Sequence, residues 1–174
     1  MLQRTKADQV ENVYLNFIKD YPNIQSLSKA DIKNVKLLIK SLGLPAKANL
    51  LVEAANFIVN NFQNKIPCEK NKIIKIPGVG DYTTGAIQAI CFNNAEYVID
   101  SNIARFINRY YNFQLIGEIR RKREIIEKAK EIFIINNQKK ILFSILDFCN
   151  LFCKPKNPNC NFCLLKSYCK YLNK

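Results

Sequence analysis

Apolar residues recur at three- and four-residue spacing along most of the chain, the periodicity of helices with one buried face. From Thr5 to Asp20, the residues Val10, Val13, Tyr14, Phe17 and Ile18 fall on one such face, and Tyr21-Pro22-Asn23 ends it. Ser28 with Asp31 three residues on resembles a capping box with Asp at the usual Glu position. It opens a second helix that runs to Leu42 and stops at Gly43, a natural cap residue. Pro45 starts a third helix, whose stripe of Leu51, Ala54, Ala55, Ile58, Val59 and Phe62 reads as core. A short helix over Lys70–Ile76 is stopped by Pro77, which has no N–H to continue the ladder. Gly78-Val79-Gly80 forms a turn in which two glycines can take positive φ, and a further helix begins near Asp81 or Thr83. Asp100 stands directly before a helix carrying Ile103, Phe106, Ile107 and Tyr110. Helices over Glu118–Ile135 and Lys139–Phe152 follow. With no strand pattern, internal repeat or low-complexity linker, the fold class is all-α.

Composition sharpens this picture. At 174 residues, 48% of them hydrophobic, the chain can bury one sizeable core, with room for a small appendage. Its 27 Lys and Arg against 14 Asp and Glu give a net charge of +13, which favours a polyanionic partner. No long apolar run or basic amphipathic anchor supports a membrane partner. Met1-Leu2-Gln3-Arg4-Thr5 leads into a polar helix without a secretory leader, and the seven cysteines are an odd number. Both features point to a reducing cytosol. Histidine is absent, so acid–base work falls to Asp, Glu, Lys, Tyr or Cys, and a metal would be held by thiolates or carboxylates.

Three places carry candidate chemistry. The N–H groups of Gly78, Val79, Gly80 and the helix start through Thr83 face one way and form an anion site, most naturally for a DNA phosphate. A dinucleotide-binding loop is excluded, because Thr83 stands where its third glycine belongs and a proline-ended helix replaces its strand. Asp100 places a carboxylate at a helix entrance, where it can be a simple N-cap. The run Arg120-Arg121-Lys122-Arg123 offers a phosphate face, although a solvated face laced with ion pairs is the more ordinary meaning. Finally, Cys153, Cys160, Cys163 and Cys169 bring four thiols together without histidine. Both zinc and an iron–sulfur cluster accept four thiolates, so spacing alone leaves the two open. Cys68, Cys91 and Cys149 fall outside that ladder and read as ordinary thiols.

Ile76-Pro77-Gly78-Val79-Gly80, the later Ile99-Asp100-Ser101-Asn102-Ile103-Ala104-Arg105, and the cysteine ladder occur in an order that resembles the helix-hairpin-helix base-excision DNA glycosylases. The resemblance spans nearly the whole chain. It implies a two-lobed helical fold, with a barrel lobe over residues 5–116 that includes the hairpin at about 70–92. Residues 117–174 would form the C-terminal helices and a cluster loop at 153–169. It further implies a 4Fe–4S cluster on the four cysteines, as in the endonuclease III and adenine-glycosylase branches. Asp100 becomes the catalytic acid that stabilises an oxocarbenium-like sugar. Tyr82 stands where bifunctional relatives carry a Schiff-base lysine, which implies base removal without strand cutting. The implied partner is double-stranded DNA with a mismatched or damaged base, met by a monomer in a nucleoid-associated, cytoplasmic, prokaryotic-type setting, with no membrane.

Tyr82 and the Asp100–Tyr110 motif resemble the mismatch thymine/uracil glycosylases and some adenine glycosylases, and thymine or uracil opposite guanine is the preferred substrate. Adenine glycosylases place a catalytic Glu two residues before Met-Leu-Gln-Gln-Thr, and this chain begins Met1-Leu2-Gln3-Arg4-Thr5. The resemblance places Gln3 and Arg4 against the duplex beside the lesion, with arginine closer to the thymine-mismatch type. Leu44 matches a wedge residue and Lys47 a basic helix position, though Leu44 fits a core role equally. The chain ends just after the cysteine ladder, without the further domain that reads 8-oxoguanine in bacterial adenine glycosylases. Two alternatives stand beside the preferred reading. One is an adenine glycosylase acting on A:G or A:8-oxoG, with residues missing upstream. The other is an inactive, truncated DNA-binding remnant.

Overall fold

The computed structural model describes residues 7–172, and among these there are nine α-helices and no strand. The all-α expectation therefore holds. Two compact units, Met1–Gly80 and Asp81–Lys174, share the chain. The division lies within the hairpin, whereas the resemblance implies lobes over 5–116 and 117–174. The reason lies in packing: the helix after Asp100 shares one core with the C-terminal helices, since Ile103, Ala104 and Ile107 pack with Ile125, Ala129, Phe133 and Leu142.

The first unit holds α1 (Ala7–Asp20), α2 (Ile24–Ser28), α3 (Ile32–Ile39), α4 (Lys47–Phe62) and α5 (Lys70–Ile73). Its core is Val35, Ile39, Ala48 and Val52, backed by Val13, Phe17 and Leu27. The expected Ser28/Asp31 capping box is not the one formed. Asn23 caps α2 in a capping box with Ser26, and Ser28 ends that helix by donating to the Gln25 carbonyl. Asp31 itself caps α3, accepting from the Lys33 N–H at 2.8 Å. Asn23, freed by the Tyr21-Pro22 break, offers a cap one turn too early for the single long helix expected. At the other end Gly43 takes the left-handed conformation (φ 69°) after a 3-10 turn over Lys40–Leu42. On α4 the deepest line is Ala48, Val52, Ala55 and Ile58, so the helix is rotated slightly from the expected stripe; Leu51, Ala54, Val59 and Phe62 flank it half-buried.

The second unit begins with α6 (Asp81–Ile87), which runs into a π-helical turn over Gln88–Phe92. Gly85 is required there: a Cβ would lie 2.8 Å from the Tyr97 carbonyl oxygen. Buried Val98 and Ile99 lead to Asp100 and α7 (Ser101–Tyr110), followed by α8 (Arg123–Phe133) and α9 (Gln138–Leu151). The helix expected over Glu118–Ile135 is shorter at its start, because Lys122 is extended (ψ 140°) and Glu118 folds back on Arg120. Gln138 ties the segment before Val98 to α9: its side-chain amide exchanges two hydrogen bonds with the backbone of Ala95 and donates to Phe133. No described helix is long and apolar enough to cross a membrane.

Candidate functional site

The phosphate-type turn is built from the bottom by two constraints. The helix α5 ends at Ile73, three residues short of the expected Lys70–Ile76, and turns over residues 74–76 lead to Pro77; the Val79 N–H closes the next turn on the Ile76 carbonyl at 3.0 Å. Gly78 alone takes positive φ (75°), and a Cβ there would come 3.2 Å from Leu50 Cβ. Gly80 does not share the left-handed conformation expected for both glycines. Its side-chain position faces open space, with no atom within 4 Å. Val79 and Thr83 are half-buried, and α6 starts directly after Gly80. Leu44 and Lys47 are half-buried at the entry to α4, where the Lys47 N–H meets the Leu44 carbonyl at 2.9 Å. Gln3 and Arg4 lie outside the described residues. Thus Leu44, Lys47 and the Gly78–Gly80 turn belong to the first unit, and Tyr82, Thr83, Asp100 and the cysteine ladder to the second.

Asp100 is held in place by the start of its own helix. It adopts an extended backbone as the N-cap of α7, and its Oδ1 accepts the N–H groups of Asn102 and Ile103 at 2.9 and 2.8 Å. Its Oδ2 accepts the Asn102 side-chain amide at 2.8 Å. The Asn102 amide oxygen in turn accepts from Arg105 Nη2 at 3.0 Å, while Arg105 Nε donates to the Cys153 carbonyl at 3.0 Å. The buried Cys149 thiol approaches the Asn102 carbonyl at 3.5 Å; burial first, and the neighbouring Cys153 second, push it up to about 12, so it stays an inert thiol. Tyr82, 40% exposed, shares this site. Partial burial, and secondarily the charge of Asp100, raise its phenol above the ordinary value, so it remains protonated at neutral pH. Tyr82 thus lies within range of the Asp100 charge.

At the far end of α7 the four ladder cysteines line one pocket, together with Arg109 and Phe148. Each of the four is half-buried while the residues around them are largely exposed, so the loop turns its sulfurs inward. Among the described residues no three potential ligands are grouped for a single ion. A tetrahedral zinc needs its sulfurs about 2.3 Å from one centre. A tetrathiolate donor set also suits a multi-iron cluster.

Two arginines of the Asp100–Tyr110 motif were given no role of their own by the sequence pattern. Arg105 and Arg109 face this loop, although their i,i+4 spacing on the Asp100 helix signals a shared target. The Arg120 run behaves as a solvated face: Arg120 pairs with Glu118 and Arg123 with Glu127, both in the open. The Arg120 guanidinium beside Glu118 holds its carboxyl down at about 2.

Residues 1–140 match the family described as HhH-GPD superfamily base excision DNA repair protein. The chain belongs to this superfamily. It is 35% identical to an adenine DNA glycosylase of Buchnera aphidicola subsp. Baizongia pistaciae, over 99% of this chain and 49% of that protein. The chain therefore spans about half the length of that curated relative. It is 27% identical to a thymine/uracil-DNA glycosylase of Methanothermobacter thermautotrophicus, covering 100% of this chain and 79% of the relative. Among solved structures, a thermostable thymine-DNA glycosylase superimposes with a TM-score of 0.89 at 26% identity, over 99% of this chain and 80% of that one.

Proposed function

We propose that this chain is a DNA N-glycosylase of base-excision repair that removes thymine or uracil opposite guanine and leaves the strand uncut. The observation that carries this reading is the Asp100 carboxylate, held by three hydrogen bonds at the entrance of α7 with a tyrosine, not a lysine, beside it.

Breaking an N-glycosidic bond develops positive charge on the sugar, and the target nucleotide must first leave the stack. Asp100 supplies the fixed negative charge, and the free lone pair on its Oδ2 can orient a water toward C1′. Because two backbone N–H groups and one amide already hold the carboxylate, it needs no reorganisation when that charge appears. A lysine at position 82 would attack the sugar as an amine and form an imine, whereas the protonated phenol of Tyr82 cannot. The Gly78–Gly80 turn serves the backbone of a double-stranded DNA, and Leu44, Lys47, Gln3 and Arg4 are further DNA contacts. A 4Fe–4S cluster on Cys153, Cys160, Cys163 and Cys169 supplies iron–thiolate bonds that fix the loop, and the excision step stays with Asp100. The protein acts as a monomer on nucleoid DNA in the cytoplasm.

Duplexes carrying T:G, U:G, A:G and A:8-oxoG pairs, incubated in parallel, test this. The expected outcome is base release from T:G or U:G, with strand scission only after alkali. The 35% identity to an adenine DNA glycosylase favours a second reading. Release of adenine alone would establish that reading in place of the first. Binding without release from any duplex would establish a DNA-binding remnant.

A further inference from the structure

We infer that Arg109 is a non-cysteine component of the cluster site, a cation that hydrogen-bonds a ligand sulfur and sets the electronic properties of the cluster. This inference rests on the cluster assignment proposed above. Arg109 Nη1 lies 3.7 Å from Cys153 Sγ and donates to the Lys154 carbonyl at 2.6 Å. Its Nη2 donates to the Pro155 carbonyl at 3.0 Å. One helical turn earlier, Arg105 takes the Cys153 carbonyl. Three successive carbonyls, 153 to 155, are thus received by two guanidinium groups from one face of α7. The ring of Tyr171 covers Arg109 at 5.6 Å, and the Lys170 N–H bonds the Tyr110 carbonyl at 3.0 Å to hold that tail segment against the end of α7.

A basic residue meant for DNA keeps its donors toward solvent. Arg109 spends its donors on the loop and the sulfur, and it lines the same cavity as the four cysteines. Only the planar fork of arginine can reach two adjacent carbonyls and a sulfur at once; an ammonium is a single point charge. Toward a cluster, an N–H···S bond and a nearby positive charge both withdraw electron density from the thiolate. They stabilise the reduced cluster more than the oxidised one and so raise its reduction potential. Holding carbonyls 153 to 155 also slows the opening of the loop through which oxidants reach the cluster.

Arg109→Met removes the charge and the fork while keeping an unbranched apolar stem, and Arg109→Lys keeps only the charge. In voltammetry on DNA-free protein prepared anaerobically, the Met variant is expected to favour the oxidised state about tenfold more than the unsubstituted protein. That is a fall of about 59 mV for a one-electron couple. Its visible absorbance should bleach several-fold faster in air, and the Lys variant should bleach at an intermediate rate. A purely structural staple would alter bleaching and leave the potential in place. A Met variant with full iron and sulfide content and an unchanged potential therefore overturns the inference. Where the Met variant fails to assemble, Arg109→Gln, which removes the charge but keeps an amide donor, decides: a lowered potential supports the inference, and an unchanged one overturns it. Unsubstituted protein that lacks iron and sulfide overturns the cluster assignment itself, and this inference with it.

Discussion

At Asp100, capping and the proposed chemistry make compatible demands: the cap needs a side-chain oxygen in one fixed rotamer, and the same rotamer fixes the carboxylate. The two backbone N–H groups that α7 leaves unpaired saturate Oδ1, and Asn102 takes one side of Oδ2. Asp100→Asn keeps an acceptor for the cap but removes the charge, so excision in single-turnover assays should fall by about a hundredfold or more. DNA affinity in a gel-shift titration should hold. Tyr82→Lys restores an amine beside Asp100 and should yield borohydride-trappable protein–DNA adduct, which the parent chain should not form. Thr84 is a residue whose polarity is not rewarded: it is 1% exposed, and among the described residues its hydroxyl meets no partner. Thr84→Val preserves shape and removes that orphan oxygen, so the denaturation midpoint should rise, by about 1 kcal/mol in stability. Asp100 was legible in the sequence because a cap is a local property. Arg105 and Arg109 were not, because their targets lie more than forty residues away in the chain.

Glycine roles at the level of elements separate fold from function across α6. Gly85 sits where the helix meets the Tyr97 carbonyl at 2.8 Å from a built Cβ, so Gly85→Ala must push backbone apart. It should destabilise the protein by about 1–3 kcal/mol, read as a lowered urea midpoint. Gly80 has nothing within 4 Å, so a side chain there is free in the protein itself. Gly80→Val should leave the melting temperature nearly unchanged yet weaken binding to every DNA sequence alike. The contrast tests whether the open side of the turn is reserved for a backbone ligand. The end marked by Gly43 was readable from sequence, since glycine acts through its own φ, whereas α5 stops at Ile73, before Pro77 is reached. Starts marked by polar residues were less readable. Asn23, Ser28 and Asp31 are all competent caps, and which pair closes depends on how α2 and α3 pack on α4. The start of α8 was missed for the same reason: Glu118 finds Arg120 two residues on before it can join a helix.

Across the whole molecule, charge distinguishes DNA binding from folding. The ion pairs of the described residues, such as Lys72–Glu69 and Lys130–Glu96, are exposed and contribute little to stability. They neutralise acids locally and leave the surplus of +13 available to a polyanion. That surplus was visible in composition, and so was the ladder of four cysteines. Their enclosure of one cavity depends on how the loop after α9 returns to α7, which spacing does not specify. If the surplus acts through phosphates, affinity must fall linearly with the logarithm of salt, because each contact releases condensed counterions. A footprint of about six phosphates gives a slope near −5 in log K against log salt. Binding to undamaged duplex, measured by fluorescence anisotropy over a range of potassium chloride, should show it; a flat dependence would contradict it. The slope also separates two kinds of contact. Lys47→Ala should reduce its magnitude by about 1, as for one lost charge–phosphate pair. Gly80→Val should lower affinity at every salt concentration while leaving the slope intact, because a blocked backbone N–H carries no net charge to exchange for a counterion.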